Sequence, residues 1–455
     1  MCGWVAQAEV ENDEHFAEAI RRISHRGTRV TIKETNGSIL AHSRLPIVGL
    51  SEKYDQPVET DDWLIAFSGE VLDFREEDPA AECDLPLVVE GWERYKSKAL
   101  RGRDGFWNII AIDKTDGTLH ITCDYLGQKP AYYRQDVLAA ASEPDALLPL
   151  GPVTFDEVYL AAVIKWGYCP EIERTPYNEI KKVRPGEHIQ LDDLGTFGQG
   201  QIVDQLVPRP GDLRKEIELA VRRRVMASDV PVACLLSGGL DSSIVYTLAS
   251  CYGQVKPYYV DLGDNDIEER MAVGAVAGKA KVMEVNGSSL DIPVMEQLDY
   301  MQEPIDLGSL VPQIALARVI PENVCLTGDG ADEVFGGYGR AYRYDSQGSD
   351  VFHELPAWHL PRLDRVMMRH LIEVRSPFLS RRVVEIGLSL PRELRTGKRI
   401  LREIFRDILP KSIADRAKKP LRMLGINEAH RIHMVNEFKR RHYIRNEMDV
   451  EEMSR

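Results

Sequence analysis

A chain of 455 residues is too long for one typical hydrophobic core, so two domains are expected. Its 44% hydrophobic and 28% charged residues are those of a globular protein, and no apolar run approaches the roughly 20 residues of a membrane span. A formal net charge of −15 excludes nucleic-acid binding through a general cationic surface, which depends on Lys and Arg neutralising phosphates.

The N-terminal stretch MCGWVAQAEVENDEHFAE lacks the basic start and apolar centre of a secretory signal, so the chain is expected to stay in the cytoplasm, with no membrane partner. Short β-like runs broken by turns then dominate the first half: residues 37–43, 63–68, 107–112 and 118–122, with a turn and strand over 184–191. Their close spacing predicts paired antiparallel sheets with a few helices, such as 15–23 and 85–95. The stretch TFGQGQIVDQLVPRPGD (196–212) is turn-rich and reads as a linker between domains at 1–200 and 210–455. Beyond it strands alternate with helices: 230–236 then a helix from Ser242, 256–262 then a helix, 281–285, and 323–327. This alternation is that of parallel βαβ units. The C-terminal INEAHRIHMVNEFKRRHYIRNEMDVEEMSR is charge-rich and predicted helical, with Lys439-Arg440-Arg441 as a solvated face. Seven cysteines, without Cys-x-x-Cys or His-Glu-x-x-His, predict neither a disulfide framework nor zinc, and most should be buried small apolar residues.

Two loops carry the chemistry of the second half. In CLLSGGLDSS (234–243) an apolar strand enters Ser237-Gly238-Gly239, where glycine permits close backbone approach. A helix starting near Asp241-Ser242-Ser243 offers unpaired N–H groups and a positive dipole end, which favour phosphate. Asp241 beside a phosphate is repulsive unless a divalent cation such as Mg2+ lies between them. Taken alone, the loop also reads as a glycine turn with Asp241 capping a helix. In CLTGDGADEVFGGY (325–338) Gly328 and Gly330 bracket Asp329 after another apolar strand, and Asp332 and Glu333 open a helix. Neighbouring strands of an open parallel sheet share one crevice at their carboxyl ends, so both loops would face one ligand, and Asp241 and Asp332 one cation.

SGGLDSS resembles the pyrophosphate loop of N-type ATP pyrophosphatases, and GDGADEVFGGY is similar to the second signature of glutamine-dependent asparagine synthetases. Glu373-Val-Arg-Ser-Pro-Phe-Leu, Gly397-Lys-Arg-Ile-Leu-Arg and Leu409-Pro-Lys-Ser-Ile extend the resemblance over nearly the whole chain. It implies an α/β domain with a mostly parallel sheet flanked by helices, in which ATP is cleaved to AMP and pyrophosphate while a carboxylate is adenylated. By position, Ser237, Gly238, Gly239, Asp241, Ser242 and Ser243 would hold the pyrophosphate part, and backbone near Leu235 and Val260 the adenosine. Thr327, Gly328 and Asp329 would complete the ATP site, Asp241 and Asp332 would bind Mg2+, and Lys398 would neutralise phosphate charge.

Cys2 raises a separate question. Once Met1 is removed, an α-amine with a pKa of about 8 can accept the thiol proton and activate the nucleophile without a histidine. Met-Cys-Gly, His25-Arg26-Gly27, Ser43-Arg44-Leu45-Pro-Ile-Val and Ser68-Gly69-Glu70 together resemble an N-terminal-nucleophile glutaminase domain. The resemblance implies an α+β fold, an αββα sandwich of antiparallel sheets. It gives Arg44 to the glutamine carboxylate, for which its planar fork is suited, and the oxyanion hole to Gly69 N–H and Ser68. Glu70 and Glu82 would complete the glutamine site, and Asp124-Tyr-Leu-Gly with Pro130 continues the pattern. Ser68 replaces the usual Asn and Glu82 the usual Asp. A hydroxyl reaches less far than an amide, and losing one oxyanion donor costs about 3 kcal/mol, so weak or tightly coupled glutaminase activity is expected, with ammonia as donor a variant.

The two halves imply a two-step amidation, with ammonia released through a Cys2 thioester and passed between domains to an acyl adenylate. Aspartate, giving asparagine, is the default acceptor. EPIDLGSLVP (303–312) carries Leu307 and Gly308 where Asp and Ser are usual, Asp329 replaces a commoner Glu, and Pro420-Leu-Arg follows Lys418-Lys419. A different carboxylate acceptor is therefore the alternative. A non-catalytic binding or regulatory protein is a third reading, opposed by the joint presence of Cys2, Arg44, Ser237, Asp241, Asp332 and Lys398. The oligomeric state is left open, a homodimer among the options.

Overall fold

The computed structural model describes residues 2–10, 12–192, 200–261, 267–286, 292–305, 308–338, 349–416 and 427–453. Asp306, Leu307 and the 418–422 stretch singled out in the sequence lie outside them. The described strands are β1 (Cys2–Gln7), β2 (Arg29–Thr35), β3 (Ser38–Arg44), β4 (Val58–Glu59), β5 (Trp63–Val71), β6 (Gly105–Asp113), β7 (Leu119–Cys123), β8 (Tyr132–Arg134) and β9 (Ala139–Ala141). There follow β10 (Lys181–Lys182), β11 (Glu187–Leu191), β12 (Gln201–Ile202), β13 (Val232–Leu235), β14 (Val255–Asp261), β15 (Met283–Asn286), β16 (Val324–Leu326) and β17 (Glu373–Arg375).

The first twelve strands form two antiparallel sheets, ordered β10-β8-β9-β1-β3-β2 and β12-β11-β7-β6-β5-β4. Alternation along β1 explains how they stack. Trp4 and Ala6 join Leu40, Leu64, Ala66, Ile110 and Ile121 between the sheets. Val5 points the other way, into a layer with Phe16, Ala19 and Ile23 of the helix Asp13–Ile23. The outer face of the second sheet packs Ile65, Phe67 and Ile109 against Val88 and Trp92 of the helix Leu85–Tyr95. The result is a helix–sheet–sheet–helix sandwich.

The remaining strands form one parallel sheet, β15-β14-β13-β16-β17, whose connections run through helices. Val232, Ala233 and Cys234 of β13 and all of β16 are buried, as expected of a sheet covered on both faces. No helix among the described residues is long and apolar enough to cross a membrane.

Three details differ from the sequence reading. The helix expected from Ser242 spans Leu240–Ala249, because Gly239 rather than Asp241 is its N-cap. The expected linker is partly sheet: β12 pairs with β11 as an edge strand, and residues 193–199 lie outside the described set. Arg441 is not solvated; it is buried in ion pairs with Asp145 and Asp299, both at 2.8 Å, because the C-terminal helix Glu428–Met453 packs Met434, Val435 and Phe438 into the N-terminal layer. Six of the seven cysteines are buried and Cys251 is exposed.

Candidate active site

The register of β1 against β3 sets Cys2 opposite Arg44. Cys2 is buried, and its carbonyl accepts hydrogen bonds from Ser68 Oγ at 2.7 Å and from Arg26 Nε at 3.1 Å. Burial pushes the Cys2 thiol pKa up, with Arg44 pulling against it. Ser68 is fully buried on β5, so its hydroxyl tethers the backbone of the cysteine. Gly69 follows with φ +132°, and a Cβ there would collide with the Phe106 carbonyl on β6, so only glycine fits.

The Arg44 guanidinium is gathered into the loop that follows β3. It donates to the carbonyls of Val48 (3.3 Å), Gly49 and Ser51 (2.8 Å), and pairs with Asp55 at 2.8 Å. Glu82 is not brought to the Cys2 pocket. Its exposed carboxylate accepts from the Tyr54 hydroxyl at 3.0 Å and pairs with Lys53 at 2.7 Å. The buried carboxyl of that stretch is Asp84, which accepts from Val71 N–H at 2.8 Å and is pushed up to about 6 by burial. Glu70 is buried beside it; burial first, then Asp84 and Glu373, push its carboxyl well above the usual range. Asp124 shapes the turn after β7 by accepting from the N–H groups of Leu126 (2.8 Å), Gln128 (2.9 Å) and Trp107 (3.1 Å).

Parallel pairing sets the loops after β13 and β16 side by side. They touch: a Cβ on Gly328 would lie 2.9 Å from both Asp241 Cβ and Ser242 N. Ser242 Oγ accepts from Ser237 N–H at 3.2 Å and lies 3.0 Å from Ser237 Oγ. Gly238 adopts φ +70°, and Arg416 donates to its carbonyl at 3.0 Å. Ser243, in the first turn of the helix, is fully buried. Leu235 ends β13 opposite Tyr258, and Val260 lies opposite Val285 on the neighbouring pair, both half-buried.

Lys398 joins the loops. Its buried ammonium pairs with Asp241 and, at 2.6 Å, with Asp332. Burial lowers its pKa, but the two carboxylates outweigh burial and hold the ammonium above the ordinary lysine range. Carboxylates that converge on one ammonium are close enough to share one divalent cation, and phosphate oxygens would complete its oxygen shell, so the donor set fits Mg2+. Among the described residues no group of three or more His, Cys, Asp or Glu makes a closed metal site. Thr327 donates its hydroxyl to the Asp329 carboxylate, and Asp329 Oδ1 lies 3.3 Å from Arg362 Nη2. Glu333, next to Asp332, accepts from the Tyr338 hydroxyl at 3.0 Å and faces His359 Nε2 at 3.3 Å; burial and then Asp332 push it up to about 7.

Between the two centres lies a buried charged layer that sequence reasoning missed. Arg26 pairs with Glu143 at 2.7 Å and with Asp364 at 2.8 Å, and Asp364 also holds Lys129 at 3.0 Å. Glu373 pairs with Arg375 at 2.6 Å, and Arg375 lies 4.0 Å from Glu70. Glu373 and Arg375 are neighbours on β17, whereas Arg26, Lys129, Glu143 and Asp364 come from distant segments, and nothing local in the chain signals their pairing.

Comparison with known proteins matches the asparagine synthase family over residues 212–363 and 355–452, and a glutamine amidotransferase domain over residues 1–199. The chain is 26% identical to glutamine-hydrolysing asparagine synthetase B of Escherichia coli, over 90% of this chain and 79% of that protein. It is 26% identical to glutamine-hydrolysing asparagine synthetase 1 of Arabidopsis thaliana, over 92% and 77%. It is 25% identical to the glutamine-hydrolysing asparagine synthetase of Sandersonia aurantiaca, over 92% and 86%.

Proposed function

The chain belongs to the asparagine synthase family, and from that premise we propose that it transfers glutamine nitrogen to an ATP-activated carboxylate, converting aspartate to asparagine with release of AMP and pyrophosphate. The observation that carries this reading is the Lys398 bridge between Asp241 and Asp332, which gathers two loops of a parallel sheet around one cationic point.

In the N-terminal unit, Cys2 attacks the glutamine amide, Gly69 N–H receives the oxyanion, Glu70 lies near the substrate amine, and Arg44 would take the substrate carboxylate by giving up part of its bonding to Asp55 and the loop carbonyls. Ser68 and Arg26 position the cysteine through its carbonyl. Glu82 would have to act from outside this pocket, since its carboxylate is paired with Lys53. In the C-terminal unit, Ser237, Gly238, Gly239 and Ser242 line the pyrophosphate loop. Ser243 supports it from the first turn of the helix, and the backbone of Leu235 and Val260 borders the adenosine. Thr327, Gly328 and Asp329 close the crevice from the second loop. Asp241 and Asp332 would hold Mg2+, which supplies charge neutralisation for the departing pyrophosphate. Lys398 adds a fixed ammonium at the same point, where developing phosphate charge is stabilised without reorganisation. Adenylation gives a poor electrophile a good leaving group, and ammonia then displaces AMP.

Incubation with ATP, Mg2+, ammonium and aspartate tests the second centre. Asparagine with stoichiometric AMP is expected, and glutamine should replace ammonium only while Cys2 is intact. Absence of AMP with aspartate but not with another carboxylate would favour the alternative acceptor suggested by Leu307 and Gly308.

A further inference from the structure

The segment that holds Arg44 is itself held from the second unit. Residues 47–49 follow β3 and present their backbone groups to two sides. Toward Arg44, the carbonyls of Val48 (3.3 Å) and Gly49 accept from Nη2. Away from it, the Ile47 carbonyl accepts from the backbone N–H of Asp229 at 2.9 Å, and Gly49 N–H donates to Asp229 Oδ2 at 2.8 Å. The single peptide group between Val48 and Gly49 is therefore bonded at both ends, to Arg44 through its C=O and to Asp229 through its N–H. Asp229 lies 180 residues beyond Gly49, between the helix Leu213–Met226 and β13. Its other oxygen pairs with Arg75 Nη2 at 3.2 Å, and Arg75 also donates to the Met226 carbonyl at 2.7 Å. Apolar packing follows the same line, since Ile47 and Val48 share a core with Val225, Ala227 and Val232. Gly49 adopts φ +60°, and a Cβ on it would lie 2.7 Å from Cys83 Cβ and 2.8 Å from Tyr54 Cδ2, so the segment is closely confined on that side.

We infer that Asp229 is a positioning residue for glutamine. It fixes the 47–49 peptides from the second unit, and through their carbonyls it fixes Arg44 Nη2. Nη1, bonded to Ser51 and Asp55, is then the edge of the guanidinium that turns to the substrate carboxylate. A planar fork recognises a carboxylate only when its plane is set, and one anchored edge sets it. A carboxylate on Gly49 N–H also polarises that peptide, which strengthens the bond its carbonyl accepts from Arg44. The affinity of the first unit for glutamine thus depends on a residue of the second. The inference rests on the proposed glutamine hydrolysis with Arg44 on the substrate carboxylate.

The test is glutamate release by the full chain over a range of glutamine concentrations. Wild type, D229A, D229N, R75M, R44K and the double variant R44K/D229A are compared, each with a thermal melt and with AMP formation from ammonium. D229A should raise KM for glutamine about tenfold, with kcat within about twofold, as expected when binding and not the chemical step loses a hydrogen bond to a charged group. The Asp229 side chain is 32% exposed, which keeps the effect at the low end for such a bond. D229N retains an oxygen for Gly49 N–H, and R75M removes only the other partner of Asp229, so both should stay within about threefold of wild type. AMP formation from ammonium should be unchanged in these three variants. R44K should raise KM about tenfold or more, and D229A added to it should cost little further, because residues acting through one another are not additive.

An unchanged KM in D229A, a loss carried by kcat, no rescue in D229N, an R75M effect as large as that of D229A, or multiplied losses in the double variant would each overturn the role of Asp229 while glutamine hydrolysis stands. An unchanged KM in R44K would remove Arg44 from the glutamine site, and the role of Asp229 with it. If wild type releases no glutamate, equilibrium binding of glutamine to C2A and C2A/D229A decides. The same tenfold weakening, about as above, would support the role, and equal affinities would overturn it. No binding to C2A would overturn both the glutaminase reading and the role of Asp229.

Discussion

Replacing Ser68 by Ala removes one of two donors on the Cys2 carbonyl. The hydroxyl is fully buried at 2.7 Å, and Arg26 Nε remains at 3.1 Å. A hydrogen bond of this kind contributes about 1 kcal/mol net, and the carbonyl is left half-satisfied rather than orphaned. If the loss is felt as a looser nucleophile, about 1 kcal/mol is roughly a fivefold effect, so Ser68→Ala should keep about a fifth of glutamine turnover with little change in KM. A true oxyanion donor would cost 10²-fold or more. The same tether predicts the outcome of restoring the commoner residue. Ser68→Asn forces a larger amide into a fully buried position, costs about 1–3 kcal/mol in overpacking, and should lower both turnover and melting temperature. The assay is glutamate release at saturating glutamine, with and without ATP and aspartate, alongside a thermal melt. A hundredfold loss in Ser68→Ala at unchanged melting temperature, or a gain in turnover in Ser68→Asn, would refute the tether.

Lys398→Met leaves Asp241 and Asp332 without their shared ammonium; losing charge-assisted bonds of about 3 kcal/mol should cut ATP–pyrophosphate exchange about 10²-fold or more. Glu333, pushed up to about 7, binds its proton more tightly folded than unfolded. Its stabilising contribution is complete below about pH 4.5 and is lost as pH rises to 7, amounting to about 3 kcal/mol. Glu333→Gln should therefore gain melting temperature relative to wild type as pH rises from about 5 to about 8, and a constant difference would contradict the burial argument. Asp364→Asn strands Lys129 in a buried layer and leaves Arg26 with Glu143 as its carboxylate partner, and should cost about 3–5 kcal/mol, read as a lower melt. Adding Lys129→Met should recover part of that loss, and no recovery would mean that Lys129 is not the stranded charge.

Local periodicity made the sheets legible. Strands β5 and β6 carry the apolar runs Trp63–Phe67 and Ile109–Ile112, and the helix Leu85–Tyr95 carries Pro86 in its first turn. Two glycine-rich loops after apolar strands predicted a shared crevice, and Gly328 does pack on Asp241. Partners fixed only by tertiary placement were not legible. Nothing near Arg44 in the chain signals that Asp55 will claim it, or that Glu82 will be exposed and Asp84 buried. Arg441 reads as one charge among several until the helix face carrying Phe438 is docked.

The helix Leu360–Met368 shows why the unpredicted charges matter. Arg362 reaches Asp329 in the loop after β16. Two residues on, Asp364 holds Arg26, whose Nε donates to the carbonyl of Cys2, the proposed nucleophile. Arg365 pairs with Glu303 at 3.1 Å and donates to the Tyr132 hydroxyl of the N-terminal sheet. All three side chains are buried, and separating a buried ion pair costs several kcal/mol because each charge then lacks both water and partner. A helix shift that relieved one pair would strain the other two, so the element is held at both centres at once. A substitution that moves this helix should therefore be read in glutamine hydrolysis and in AMP formation together, whereas Ser68 and Lys398 each address one centre.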